Sequence, residues 1–231
     1  MKVLKNNFEI YCNDKNAIRE ALTIEIIGII FSISEHKIEF FKDELCENNV
    51  LSVLTKLLYV DSYDLRQSFW KLIESLLRSL KSNNFTDEHG AVSYNLSNSR
   101  IFLDNLIRVA LGNDLSNKHS AIFIINEILS NEMTMDNIQK TFGYNFLLKV
   151  LKTEQNKEIR FTTEKIVLRL LNKNKFEGFQ NKKQELCAVL ISNFMYDQIK
   201  PAEKIVIVLC LSLLFKDIEL CAKLHDTAFF P

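Results

Sequence analysis

Catalysis needs particular residue types at particular spacings, and this 231-residue sequence offers few of them. Its four histidines, His36, His89, His119 and His225, do not form H-E-x-x-H, and no two cysteines stand at C-x-x-C spacing, so the usual zinc patterns are missing. There is no G-x-G-x-x-G, Walker or G-x-S-x-G run, and five scattered glycines suggest no backbone cradle for phosphate. Glu88-His89 and His225-Asp226 are sequence neighbours, which a helix points apart rather than together. Cys187 and Cys210 lie among apolar residues, where a thiol's pKa rises and its reactivity falls. The expectation is a chain with no catalytic residue, no cofactor, no metal and no small-molecule substrate, and hence not an enzyme.

Charge is the remaining chemistry. Residues 140–183 hold 11 Lys and Arg against 4 Asp and Glu, a local excess of +7 in a chain whose formal net charge is zero. On the helix patterns described below, Arg66, Lys71, Glu74, Arg78, Arg160, Lys165 and Arg169 fall on the solvent side of two long helices. They are the candidate contacts for a partner, another protein with an acidic peptide or helix. Two alternatives use the same chain differently: a nucleic-acid-binding helical repeat working through 140–183, or an enzyme whose site is assembled from distant helices.

Composition bounds the fold. Hydrophobic residues make up 47% and charged residues 25%, while only 5 Gly and 2 Pro supply turns, so long helices with short polar connections are predicted. Zero net charge gives no general reason to expect nucleic acid or an anionic membrane as partner. The most apolar run, residues 205–215, is well short of the ~20 residues that cross a bilayer, and reads as a buried helix. Five cysteines, an odd number, after a start with no apolar leader core point to reduced thiols and a cytoplasmic setting.

Along the chain, Asn13-Asp14 caps a helix from Ala17 that is apolar on most sides, and further helix patterns cover 36–46 and 50–59. A long helix follows with Leu65, Phe69, Leu72, Leu76 and Leu80 as its spine. Residues 82–99 are rich in Asn, Ser, Asp and Gly and are predicted to be an irregular surface loop. Helical pattern resumes at Arg100, with Gly112 expected in the left-handed conformation at a helix end, continues over 118–130 and 134–143, and has Gly143 as a second C-cap. Residues 144–173 supply a short and a long helix, 172–181 a connection, 182–196 another helix, and Pro201 opens the apolar helix before a last short one at 218–230.

Two stretches repeat. Leu65-Arg66, Leu72-Ile73 and Leu76-Leu77 match Ile159-Arg160, Ile166-Val167 and Leu170-Leu171 at a constant offset of 94 residues, each preceded by a shorter helix, 54–58 and 147–151. Long helices then begin near 17, 65, 118, 158 and 202, spacings close to the ~40 to 47 residues of helical solenoid repeats. The order of short apolar helix, polar turn, Val/Ile-Arg and long helix resembles an armadillo repeat over nearly the whole chain. That resemblance implies an all-α, right-handed α-solenoid of about four repeats in one domain, 1–231, acting as a protein-binding scaffold or adaptor. Phe69 and Thr163 stand where the family has a small alanine, and Ser75 and Arg169 where some members hold a peptide backbone with Asn; Trp70 reads as a packing residue. Residues 203–230 are also similar to armadillo-type units of rotatin-like centriole proteins, which implies a piece of a longer centriole or centrosome scaffold of the cytoskeleton.

Overall fold

The ends of the helices follow from side chains that satisfy backbone groups the helix itself leaves unpaired. Ser62 Oγ accepts from Leu65 N–H, Ser99 Oγ from Phe102 N–H, Asp114 from the N–H groups of Ser116 and Asn117, and Asn156 Oδ1 from Glu158 and Ile159 N–H at 3.0 and 3.2 Å. The computed structural model describes residues 17–40, 42, 51, 54–55, 58, 62–195 and 199–216. Among these, ten α-helices and no strand occur: α1 Ala17–His36, α2 Tyr63–Ser82, α3 Thr86–Asn98, α4 Arg100–Ala110, α5 Leu115–Ile128, α6 Glu132–Thr141, α7 Asn145–Thr153, α8 Lys157–Asn172, α9 Lys183–Phe194 and α10 Pro201–Leu214. No helix of the described residues is long and apolar enough to cross a membrane.

Contacts divide the chain into two compact units, Met1–Thr134 and Met135–Pro231. In the first, α2 packs against α1, α3 and α5, and α5 packs also against α4. The predicted spine of α2 is its core: Leu65, Phe69, Leu72, Leu76 and Leu80 are all buried. Trp70 is a packing residue, its ring tilted against Phe102 at 5.6 Å and edge-on to Phe69 at 5.0 Å. In the second unit α8 packs on α10 and α7, and α9 on α10 and α7. Tyr144 pins the start of α7. Its N–H donates to Gly178 O at 2.7 Å and its hydroxyl to Met135 O at 2.8 Å. A Cβ on Gly178 would stand 2.0 Å from the Tyr144 ring, so only glycine lets the chain pass there.

The two long helices that repeat in sequence also end alike. Asn84 and Asn174 adopt φ 60° and 55°, and each is followed by an N–H that reaches back five residues, Phe85 to Leu80 O and Lys175 to Leu170 O. Asn84 and Asn174 themselves donate to Lys81 O and Leu171 O. This is the Schellman arrangement with Asn in place of glycine. Gly143 takes the expected left-handed conformation, φ 66°.

Two expectations need correction. Residues 82–99 are not an irregular loop, because α3 runs through them and buries Val92, Ser93, Leu96 and Ser97 as one stripe. Half of that stripe is serine, which hid the period from a reading based on apolar residues. Gly112 is not left-handed; α4 closes through its N–H to Val109 O, and a Cβ there would meet the same oxygen at 3.2 Å. The connection 172–181 is a connection as expected, with a short 3-10 helix, Phe176–Lys182, reaching its end. Of the early patterns, the described part of 36–46 holds the end of α1, a 3-10 turn, Ile38–Phe40, and a helical Lys42, while in 50–59 Leu51, Leu54 and Thr55 are helical and Leu51, Leu54 and Leu58 are buried. The cap at Asn13-Asp14, the rest of 41–61, and the helix at 218–230 lie outside the described residues.

Removing a cap tests the local logic. Asn156→Ala leaves two N–H groups of α8 without their acceptor and is expected to lower stability by about 1 kcal/mol, measured by urea unfolding, while Asn156→Asp retains most of it.

Candidate functional site

At the offset of 94 residues, position 70 of the first copy corresponds to 164 of the second: a buried tryptophan in one, a glutamate in the other. Glu164 is 0% exposed. A helix that keeps its register keeps the same side inward, so the carboxyl is carried into the core that Trp70 occupies in the other unit.

Around it stands a polar cluster from three helices of the second unit. Asn156 starts α8 so that Arg160 lies in its first turns, and Pro201 starts α10 so that Glu203 lies in its first turn. Arg160 donates through Nε and Nη2 to Glu203 Oε1 at 3.1 and 3.0 Å, with both residues buried. From α9, Asn193 Nδ2 donates to Glu164 Oε1 at 3.2 Å, while Glu164 Oε2 has no hydrogen-bond partner. The Cys210 thiol donates to the Glu164 carbonyl, S···O 3.8 Å.

The electrostatics follow. Burial, reinforced by the Glu203 charge, pushes the Glu164 carboxyl up to about 8 against the opposing pull of Asn193 and Arg160. At neutral pH Glu164 is therefore held in its neutral form beside the Arg160–Glu203 pair. Burial and Glu164 push the Cys210 thiol up to about 12, which makes it inert as a nucleophile. Cys187 is the other described cysteine, buried and not in a disulfide; Cys12, Cys46 and Cys221 lie outside the described residues.

The first unit has its own buried acid. Lys81 Nζ donates to both oxygens of Glu127 at 2.9 Å, Asn126 Nδ2 donates at 3.0 Å, and His89 Nε2 stands 3.3 Å away. Burial acts to raise the Glu127 pKa, and the His89 imidazole and Lys81 ammonium outweigh it and hold the carboxyl at about 2. An open groove of about 370 Å³ lies elsewhere in this unit, lined by Leu51, Thr55, Tyr94, Asn95, Leu96, Asn98 and Ser99. Apart from the Tyr94 phenol its lining has no titratable side chain, so it offers shape and hydrogen bonds but no acid–base pair.

No protein-family model matches the chain, and no curated protein matches it. Its own geometry must therefore carry the functional reading. Among the described residues no group of three or more His, Cys, Asp and Glu is placed to hold a metal ion.

Of the seven expected contact residues, six lie at the surface. Lys71 and Lys165 are exposed, and Arg66 and Arg169 are half-exposed. Arg78 bonds Glu74 at 2.9 and 2.6 Å, and its guanidinium lies 3.7 Å over the Phe123 ring. The Lys165 ammonium lies 4.0 Å over Phe161. Arg160 is the correction. It was expected on the solvent side and is 6% exposed, because α10 covers that face of α8 and brings Glu203 to meet it. A projection of α8 alone has no knowledge of α10. Much of the basic charge of 140–183 is likewise met locally: Lys175 pairs with Asp136, and Lys152 and Lys182 pair with Glu185.

Reading residue types missed Glu164, Glu203, Glu127 and Asn193. A signal existed for Glu164, since aligning the copies sets an acid against a core tryptophan. None existed for the partners, whose meeting depends on which helices become neighbours.

Proposed function

We propose that the chain is a non-catalytic protein–protein interaction module, a scaffold or adaptor built of armadillo-like repeats in a right-handed solenoid, which binds an acidic peptide or helix of another protein. The observation that carries this reading is a recurring surface motif. Among the described residues, four cations stand on half-buried phenylalanine rings: Lys42 over Phe85, Arg78 over Phe123, Lys165 over Phe161 and Lys204 over Phe194. A cation resting on an aromatic face has already lost part of its rotamer freedom, so less is lost when a carboxylate arrives. Two further features support the repeat. Ties between successive long helices span 46 residues at Lys81 to Glu127 and 43 at Arg160 to Glu203, close to one solenoid period, and α2 and α8 share the same terminal motif. The resemblance to centriole scaffold repeats supplies the cellular setting, a cytoplasmic assembly of the cytoskeleton.

The test is affinity purification with the chain as bait, alongside Lys165→Glu and Arg169→Glu together. We expect at least one acidic partner to be recovered by the parent chain, to weaken as salt rises, and to fall roughly tenfold or more in the variant with helicity unchanged. An identical set of bound proteins for both chains removes the cationic surface from the account. Recovery dominated by RNA or DNA, lost in the same variant, supports the nucleic-acid alternative instead.

A further inference from the structure

The first and last of the described helices share an unusual property. α10, PAEKIVIVLCLSLL, is apolar on nearly every side, a composition that normally means burial all round. Yet only one face, Glu203, Ile207, Cys210 and Leu214, is buried. The opposite face, Ile205, Val208, Leu209 and Ser212, is exposed, with Ile205 60% accessible. α1 repeats the arrangement: Thr23, Ile26, Ile27 and Ile30 are buried, while Leu22, Glu25, Gly28, Ile29 and Ser32 face outward, with Ile29 55% accessible. Exposed apolar stripes of this kind mark docking surfaces.

We infer that the chain associates head to tail with a second copy of itself, the outer face of α10 in one copy docking on the outer face of α1 in the next. The two faces are complementary. Every described charge at the surface of α10 and its flanks is positive, Lys200, Lys204 and Lys216, because the one acid of the helix, Glu203, is buried on Arg160. In the middle of the α1 face stands the exposed acid Glu25. Both stripes run over about two helical turns, Leu22 to Ile29 and Ile205 to Ser212, so they match in length.

Gly28 supplies a separate indication. Glycine in a helix interior weakens the helix, and here an added Cβ would meet nothing within 4 Å, so no contact with the described residues calls for its absence. A bare backbone beside Ile29 is what a second helix needs in order to approach closely. Lys204 also belongs to the cationic surface of the function proposed above, but Ile29 and Ile205, on which the test turns, do not, so the two readings fail separately. Because the two faces differ, the contact is heterologous, and copies add one after another unless the ring closes.

The experiment is sedimentation equilibrium of the full chain over a wide range of concentration. Mass is expected to rise with concentration, and to rise less at high salt. Ile205→Glu and Ile29→Glu, both at exposed positions, are each expected to remain monomeric with helicity intact. Mixed in equal amounts they are expected to form a one-to-one dimer, since one variant keeps a working α1 face and the other a working α10 face. Exchange of charges within one chain, Glu25→Lys with Lys204→Glu, is expected to restore association that either change alone weakens. A parent chain that stays monomeric throughout overturns the inference and leaves these faces to another protein or to residues 217–231. Association that survives in Ile29→Glu alone overturns it in favour of α10 meeting α10.

Discussion

Replacing Glu164 by glutamine is expected to raise the stability of the chain at pH 8 and to remove most of the decline in stability that the parent shows as pH rises from about 4.5. The folded carboxyl is held near 8 against 4.5 in the unfolded chain, so folding retains a proton that the unfolded chain releases. The contribution is complete below pH 4.5, is lost progressively up to pH 8, and is then constant. A displacement of this size corresponds to about 3 kcal/mol by pH 7, as an order of magnitude. Glutamine has the same shape, keeps an oxygen for Asn193, and carries no charge at any pH. Glu127 acts with the opposite sign: held at about 2, it contributes above 4.5 and its contribution disappears as pH falls toward 2. Urea midpoints of parent and Glu164→Gln at pH 5 and pH 8 decide the matter. Nearly equal midpoints at pH 5 that diverge at pH 8 are expected, whereas parallel behaviour would show that the buried acid is not the titrating group.

The second large effect is expected at Arg160. Arg160→Ala strands the Glu203 carboxylate in the core beside Glu164 and is expected to cost about 3 to 5 kcal/mol at pH 7. Removing both charges together, Arg160→Leu with Glu203→Leu, should cost much less than Arg160→Ala, because a buried ion pair owes most of its importance to the penalty of breaking it on one side. Melting temperatures of Arg160→Leu, Glu203→Leu and the double variant form the cycle. A double-variant loss equal to the sum of the single losses would refute the pairing as the cause.

What could be read in the sequence divides along a physical line. The spine of α2 was visible because five large apolar residues at helical spacing leave one consistent direction for the core. Pro201 and Gly143 marked their helix ends because each has a backbone property no other residue shares. Residues 86–98 were misread because small hydroxyls can line a tightly packed face as well as solvent, and composition does not tell the two apart. Arg160 was misplaced because its environment is made by α10, 43 residues away. The candidate site is of that second kind throughout: Glu164, Asn193, Glu203 and Cys210 come from three helices, and only the packing brings them together.

The reach of these ties has a kinetic meaning. Lys81 to Glu127, Arg160 to Glu203 and Cys210 to Glu164 close loops of 46, 43 and 46 residues, each within its own unit. Loops of nearly equal, moderate size carry nearly equal closure entropies. Neither unit then needs the other's ends to be in place before its own helices can pair, and folding can start in either. A chain being synthesised or threaded through a narrow pore meets the same property in order, one helix pair at a time. Each newly added pair finds its partner already waiting 43 to 46 residues behind it.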